Sequence, residues 1–128
     1  MPRATELTVS LKSKPGVLAQ LTRTLAGAGV NILSLSADSP RGRGKIRMIV
    51  NDAVKARRAL RRAKYRATEE PAFVVRMRNK PGALARVADK LAKARVNITS
   101  AYATTAGRGG ANVVFTVGSV KKARKILR

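Results

Sequence analysis

The sequence predicts an α+β protein built from two tandem β-α-β-β-α-β units, and three observations carry that expectation. The chain repeats itself, and each copy switches between a hydrophobic period of two and one of about 3.6. Its 128 residues suffice for two small domains that support each other, since a core from fewer than about 70 residues is marginal alone. With 45% hydrophobic and 27% charged residues the composition is that of a globular domain, not of a disordered chain or a fibre.

The repeat is direct. Lys14-Pro15-Gly16-Val17-Leu18-Ala19 recurs 66 residues later as Lys80-Pro81-Gly82-Ala83-Leu84-Ala85, and residues 14–34 match 80–100 at 12 of 21 positions. Leu7, Val9 and Leu11 align with Phe73, Val75 and Met77 at the same offset, whereas Ile46, Met48 and Val50 align with Val113, Phe115 and Val117 at 67, so one residue is inserted in a hairpin. Two copies are too few for a stacked solenoid. The expected domains are residues 5–70 and 71–128.

Within copy one, Leu7, Val9 and Leu11 alternate as on a half-buried strand. Lys14-Pro15-Gly16 ends that strand and opens a helix, with proline where a missing N–H costs nothing. Leu18, Leu21, Leu25 and Ala28 then fall on one helical face, and Gly29 stands where a left-handed C-cap residue is wanted. A strand over 31–37, a turn rich in Pro40, Gly42 and Gly44, and a strand over 45–50 read as a hairpin. A second helix over 53–63 is expected to bury Val54, Ala59, Leu60 and Ala63 and to expose Lys55, Arg57, Arg58, Arg61 and Arg62. A strand near 65–69 completes a ferredoxin-like unit, an antiparallel sheet with helices on one face. Copy two follows with strand 73–77, helix 82–94, strand 97–103, a turn at Gly107-Arg108-Gly109-Gly110, strand 112–117 and helix 119–127. It lacks a final strand, so the place beside 73–77 is expected to be empty or filled by another segment. Glu70, Pro71 and Ala72 read as a linker of about 10 Å. Either 65–77 is one extended segment serving both copies, or second strands pair with those of another chain.

Most catalytic chemistry is improbable on composition. Without Cys or His there is no thiolate metal site and neither the commonest metal ligand nor the commonest general base. Six carboxylates, Glu6, Asp38, Asp52, Glu69, Glu70 and Asp89, are scattered, and the adjacent pair would face opposite ways on a strand. No nucleophile–base pair, metal cluster, phosphate loop or cofactor motif is visible. There is no apolar N-terminal region and no run near the ~18 apolar residues of a membrane span, so a cytoplasmic, non-membrane protein is expected.

The order strand, Lys-Pro-Gly, Leu-Ala, helix, Val-Asn-Ile, strand, present twice over about 120 residues, resembles the ACT domain, a small regulatory module that binds amino acids. The whole chain looks like stand-alone tandem ACT proteins that carry no catalytic domain. The implied ligand site comprises Ser13, Gly16, Val17 and Asn31 in copy one and Asn79, Gly82, Ala83 and Asn97 in copy two. Its chemistry follows from the residues. At Gly16 and Gly82 a helix N-terminus offers N–H groups and a positive dipole end to a carboxylate, with no side chain in the way. Asn31 and Asn97 can donate to a carboxylate and accept from an ammonium group. The resemblance further implies modules paired through their second strands, with ligand between them, and a homodimer is expected. Departures are visible too: Leu11 and Met77 are apolar where some relatives have polar side chains, and Arg95 replaces the C-cap glycine.

The net charge is +22, and it is evenly spread, with 15 Lys and Arg in residues 1–66 and 13 in 67–128. Basic residues concentrate on the second helix of each copy: Lys55, Arg57, Arg58, Arg61, Arg62 and Lys64, then Lys121, Lys122, Arg124, Lys125 and Arg128. Lys55, Arg58, Arg62, Lys122 and Lys125 are therefore candidates for non-specific nucleic-acid binding, the rival function. RNA-recognition motifs share the β-α-β-β-α-β order, but they stack bases on sheet aromatics, and this chain has only Tyr65, Phe73, Tyr102 and Phe115. Polyanion binding by the helices should therefore fall steeply with salt and ignore base sequence. Reversing the charge of Arg58, Arg62, Lys122 and Lys125 should abolish it in filter-binding assays, while amino-acid binding stays unchanged.

Overall fold

A computed structural model describes residues 3–105 and 109–127. The elements are β1 (Arg3–Lys12), α1 (Val17–Gly27), β2 (Ile32–Asp38), a single 3-10 turn (Pro40–Gly42), β3 (Arg43–Val50), α2 (Ala53–Arg62), β4 (Ala67–Arg78), α3 (Ala83–Lys93), β5 (Ile98–Thr105), β6 (Gly110–Val117) and α4 (Val120–Ile126). The chain divides at Glu70/Pro71 into two units. Gly107 and Arg108 of the anticipated turn, and Arg128 of the basic face, lie outside the described residues.

In the first unit the strand order is β2-β3-β1-β4, with β1 and β2 both antiparallel to β3. Alternate residues of β1 and β3 enter one core: Leu7, Val9, Ile46, Met48 and Val50 pack with Leu21, Leu25, Ala56 and Leu60 from the two helices. Because strand side chains alternate in direction, both helices cover the same face of the sheet. In the second unit the order is β4-β6-β5, again antiparallel. Its core reproduces the first by the sequence repeat, with Phe73, Val75, Leu91, Val113, Phe115, Val117, Ala123 and Leu127.

Several expectations are corrected. The linker at 70–72 does not exist: β4 runs unbroken from Ala67 to Arg78, the single-segment alternative. Pro71 suggested the break, but the β6 ladder begins only at Phe73, so the proline leaves no ladder bond to β6 unmade. For the other side of β4 the structure takes the second of the two alternatives, a further segment of the chain. β1 is the other hydrogen-bonded neighbour of β4, and Arg3 and Ala4 at its start group with the second unit. An open β4 edge therefore supplies no argument for a partner strand. Among the described residues the outermost strands are β2 and β5.

The helix faces also shift. Leu18 is exposed, because α1 begins only at Val17 and its first turn stands clear of the core formed by Leu21 and Leu25. On α2, Ala56 and Leu60 are buried whereas Val54 and Ala63 are exposed. Asp52 fixes that phase by accepting the Lys55 N–H at 3.0 Å, which starts the helix at Ala53 and turns Val54 outward.

Three helices end in the same device. After α1, the Val30 N–H donates to the Leu25 carbonyl and the Gly29 N–H to that of Ala26; Tyr65 and Lys64 repeat this on Leu60 and Arg61, and Val96 and Arg95 on Leu91 and Ala92. Each is a Schellman motif with a left-handed residue: Gly29 at φ 76°, Lys64 at 66° and Arg95 at 58°. A side chain in that conformation costs about 1–2 kcal/mol, and a glycine gives back part of this through unfolded-chain entropy. Arg95→Gly should therefore stabilise the protein by about 0.5–1 kcal/mol, and Gly29→Ala should destabilise it by about the same amount, read as shifts of the urea midpoint at constant slope.

Candidate functional site at the strand-to-helix glycine turns

Gly16 adopts φ 91°, ψ −10° and Gly82 adopts φ 88°, ψ −12°, each at the N-cap of its helix. Proline delivers the chain to this left-handed step, which only glycine makes without strain. A Cβ at either position would meet nothing within 4 Å, so the space in front of both turns is open. The Val17 N–H reaches back to Lys14 O at 3.3 Å and the Ala83 N–H to Lys80 O at 3.3 Å, two weak turn bonds. No side chain caps α1 or α3, and neither has an acidic residue in its first turn. α2 and α4 differ, since Asp52 caps one and Ser119 the other, the latter accepting the Lys122 N–H at 3.4 Å. The helices that start at the repeated motif thus leave their first-turn N–H groups and positive dipole end without a side-chain cap.

The remaining predicted residues are placed as follows. Ser13 and Asn79 are exposed just before the turns, and their N–H groups hold the neighbouring hairpins through Gly42 O at 3.0 Å and Gly109 O at 2.7 Å. Val17 is half-buried, and Ala83 is buried. Asn31 and Asn97 are exposed, and their side-chain amides make no hydrogen bond among the described residues.

Within one unit the glycine turn and the asparagine are not together. They lie at opposite ends of an 11-residue helix, about 16 Å apart at 1.5 Å per residue. No free amino acid spans that distance, so one unit holds an uncapped helix start and, remote from it, a free amide.

Two features were missed in the sequence. Leu18 and Leu84, which are 41% and 49% exposed, stand in the first turns beside the two glycines as repeated exposed apolar side chains. A strict helical-face reading assigned Leu18 to the core; that both copies keep leucine there was the available signal. The second is Asn51. Its N–H donates to Asn31 O at 3.0 Å, and its Oδ1 accepts the Asn31 N–H at 2.9 Å, so it binds the Asn31 backbone from both sides and leaves the Asn31 side chain free. In the second unit Gly118 takes this place, keeping only the first bond, to Asn97 O at 2.9 Å. The two asparagines are therefore not equally braced.

The described chain forms two modules of the same strand and helix order, and no described helix is long and apolar enough to cross a membrane. The ACT domain model matches residues 5–67 and again 72–128, and the chain belongs to that family of regulatory, amino-acid-binding modules. Among solved structures, protein BT0572 from Bacteroides thetaiotaomicron is similar at 30% identity and TM-score 0.91, covering 98% of this chain and 86% of that one. The regulatory subunit of aspartate kinase from Thermus thermophilus, in its ligand-free form, superposes at TM-score 0.75 with 20% identity, over 100% of this chain and 90% of that one. Its counterpart from Thermus flavus gives 0.71 and 19%, over 98% and 88%. These last two show a shared fold. No curated protein matches the sequence.

Asn51→Ala should remove one hydrogen bond from the Asn31 backbone and lower stability by about 0.5–1.5 kcal/mol in urea denaturation. Gly118→Asn should install the missing brace and leave stability unchanged or raised.

Proposed function

We propose that the protein is a non-catalytic regulatory protein that binds a free amino acid through its carboxylate and ammonium groups. The observation that carries this reading is the contrast among helix starts. α2 and α4 are closed by their own Asp52 and Ser119, whereas α1 and α3, at the repeated Pro-Gly motif, are uncapped and open to solvent. A carboxylate fits such a helix start, and an asparagine amide suits the α-ammonium beside it. Since the two half-sites of one unit lie a helix length apart, a complete site needs the glycine turn of one module and the asparagine of another. A homodimer paired through second strands meets that need. The outer strand β2 favours it, with Leu33 at the bulge 53% exposed and Leu35 exposed beside it. Ligand binding would then change how the modules are held, and a further protein would read that change.

A second reading rests on exposed cations. Arg58, Arg62, Lys122 and Lys125 are all exposed, whereas Arg57 is engaged with Glu69 at 2.6 Å and the Lys55 Nζ lies close to Gly29, near the C-terminal end of α1. The helix faces therefore keep part of the cationic surface for non-specific contact with nucleic acid.

Thermal-shift screening against the twenty amino acids tests the first reading. A ligand at 100 times its Kd stabilises the folded state by about 2.7 kcal/mol. The expected result is a response to one amino acid or a few chemically related ones, weakened about 10-fold or more in affinity by Asn31→Ala or Asn97→Ala, where a hydrogen bond to a charged group is lost. A flat screen at millimolar ligand, from protein shown by light scattering to be dimeric, would count against it.

A further inference from the structure

We propose that the first unit carries a second ligand site, a basic cleft at the hairpin end of β1 and β3, and that it binds the phosphate groups of a small polyphosphorylated molecule. The cleft measures about 620 Å³, within the range of small-molecule pockets. Five cationic side chains line it: Lys12 from the end of β1, Arg41 from the turn, Arg43 and Lys45 from β3, and Arg66 just before β4. All five are exposed, and no carboxylate lines the cleft. Asp38 is the register partner of Lys45 on β2, but it makes no ion pair among the described residues.

Like charges are crowded here, and none of the five cations forms an ion pair among the described residues. Lys12 and Arg43 stand directly opposite each other in the β1–β3 ladder, where like charges repel. Arg41 holds φ 55°, the left-handed region that a residue with a Cβ enters only at a cost. Gly44 brings the backbone against Leu11, since a Cβ there would lie 3.1 Å from Leu11 Cδ1 and 3.2 Å from Leu11 O. Leu11 and Pro40 supply the apolar part of the lining. A multiply charged anion among the five cations would turn mutual repulsion into attraction, and guanidinium groups bind phosphate oxygens in a two-pronged fashion.

The internal repeat provides the control. The second unit forms a corresponding cleft of about 370 Å³ at Arg76, Met77, Arg78, Gly109 and Gly110. There Gly110 is the register partner of Arg78, and Asn112 that of Arg76, at the positions that Arg43 and Lys45 occupy in the first unit. Among the described residues the fold thus makes the cleft twice and places cations on both of its strands only in the first unit, so the cations of β3 are not a requirement of the hairpin. No aromatic side chain lines either cleft, which removes the stacking platform that single-stranded nucleic acid uses. Five exposed cations around one open cleft fit a run of phosphates on a small molecule.

Calorimetric titration at near-physiological salt with tripolyphosphate, ATP and orthophosphate tests this, with a single-stranded RNA oligomer as the competing class. Tripolyphosphate and ATP should both bind, and orthophosphate much more weakly. A preference for ATP over tripolyphosphate would show that the nucleoside contributes, and equal affinities that the phosphates suffice. Arg43→Gln with Lys45→Asn should weaken binding at least about 10-fold, while Arg58→Gln with Arg62→Gln on α2 leaves it unchanged. The first pair of substitutions should also keep or raise the melting temperature without ligand. If that variant does not fold, amide chemical shifts of the unaltered protein decide, with Gly42, Gly44 and Arg66 expected to move on adding tripolyphosphate. No binding, equal loss in both variants, shifts confined to α2, or RNA binding displaced by neither small anion would overturn the proposal.

Discussion

Strand β4 has to satisfy its backbone on behalf of both units, and much of the architecture follows from that requirement. Residues 67–70 belong to the first unit and 71–78 to the second, in one strand whose neighbours are β1 and β6. A buried N–H or C=O left unpaired costs as much as a lost hydrogen bond, so neither side of β4 can be bare. The start of β1 meets that need in the second unit, which has no closing strand after α4 within the described residues. Each unit is small, with about ten residues in its buried cluster, near the size at which one core is marginal.

The same accounting of backbone groups separates structure from function at the helix ends. Three C-termini are closed by identical six-residue hydrogen-bond patterns, and two N-termini by side-chain caps. The starts of α1 and α3 are left out of this closure, and they are where Pro-Gly recurs. The turns are the same in both copies while their supports differ. Arg95 stands at the helix end where copy one has Gly29, and Gly118 beside the asparagine where copy one has Asn51.

Much of this was legible in the sequence. Alternation at Leu7, Val9 and Leu11, the helix start at Pro15-Gly16 and the turn at Gly29 fixed the fold, because each is a local signal whose physics does not depend on the rest of the chain. Family membership followed from the spacing of Pro-Gly and Val-Asn-Ile. What could not be read were choices made by tertiary context. Pro71 looked like a break because proline cannot donate to a ladder, yet its position two residues before the β6 ladder makes it harmless. Leu18 fitted the apolar face by spacing but lies above the core, at the turn where α1 begins. Asn51 gave no periodic signal, since a side chain that caps a strand end across 20 residues is invisible until the hairpin closes. The basic cleft was likewise hidden, because its cations come from four separate segments that only register and the 3-10 turn bring together.

The central claim is that the glycine turns and the asparagine amides are two halves of one amino-acid site, supplied by different modules. It is tested most directly by amide and side-chain NMR of isotopically labelled protein titrated with an equimolar mixture of the twenty amino acids. The account predicts that the backbone N–H signals following Gly16 and Gly82 move together with the side-chain NH2 signals of Asn31 and Asn97, at one common ligand dependence. Movement at the turns alone, at the asparagines alone, or at neither would contradict it.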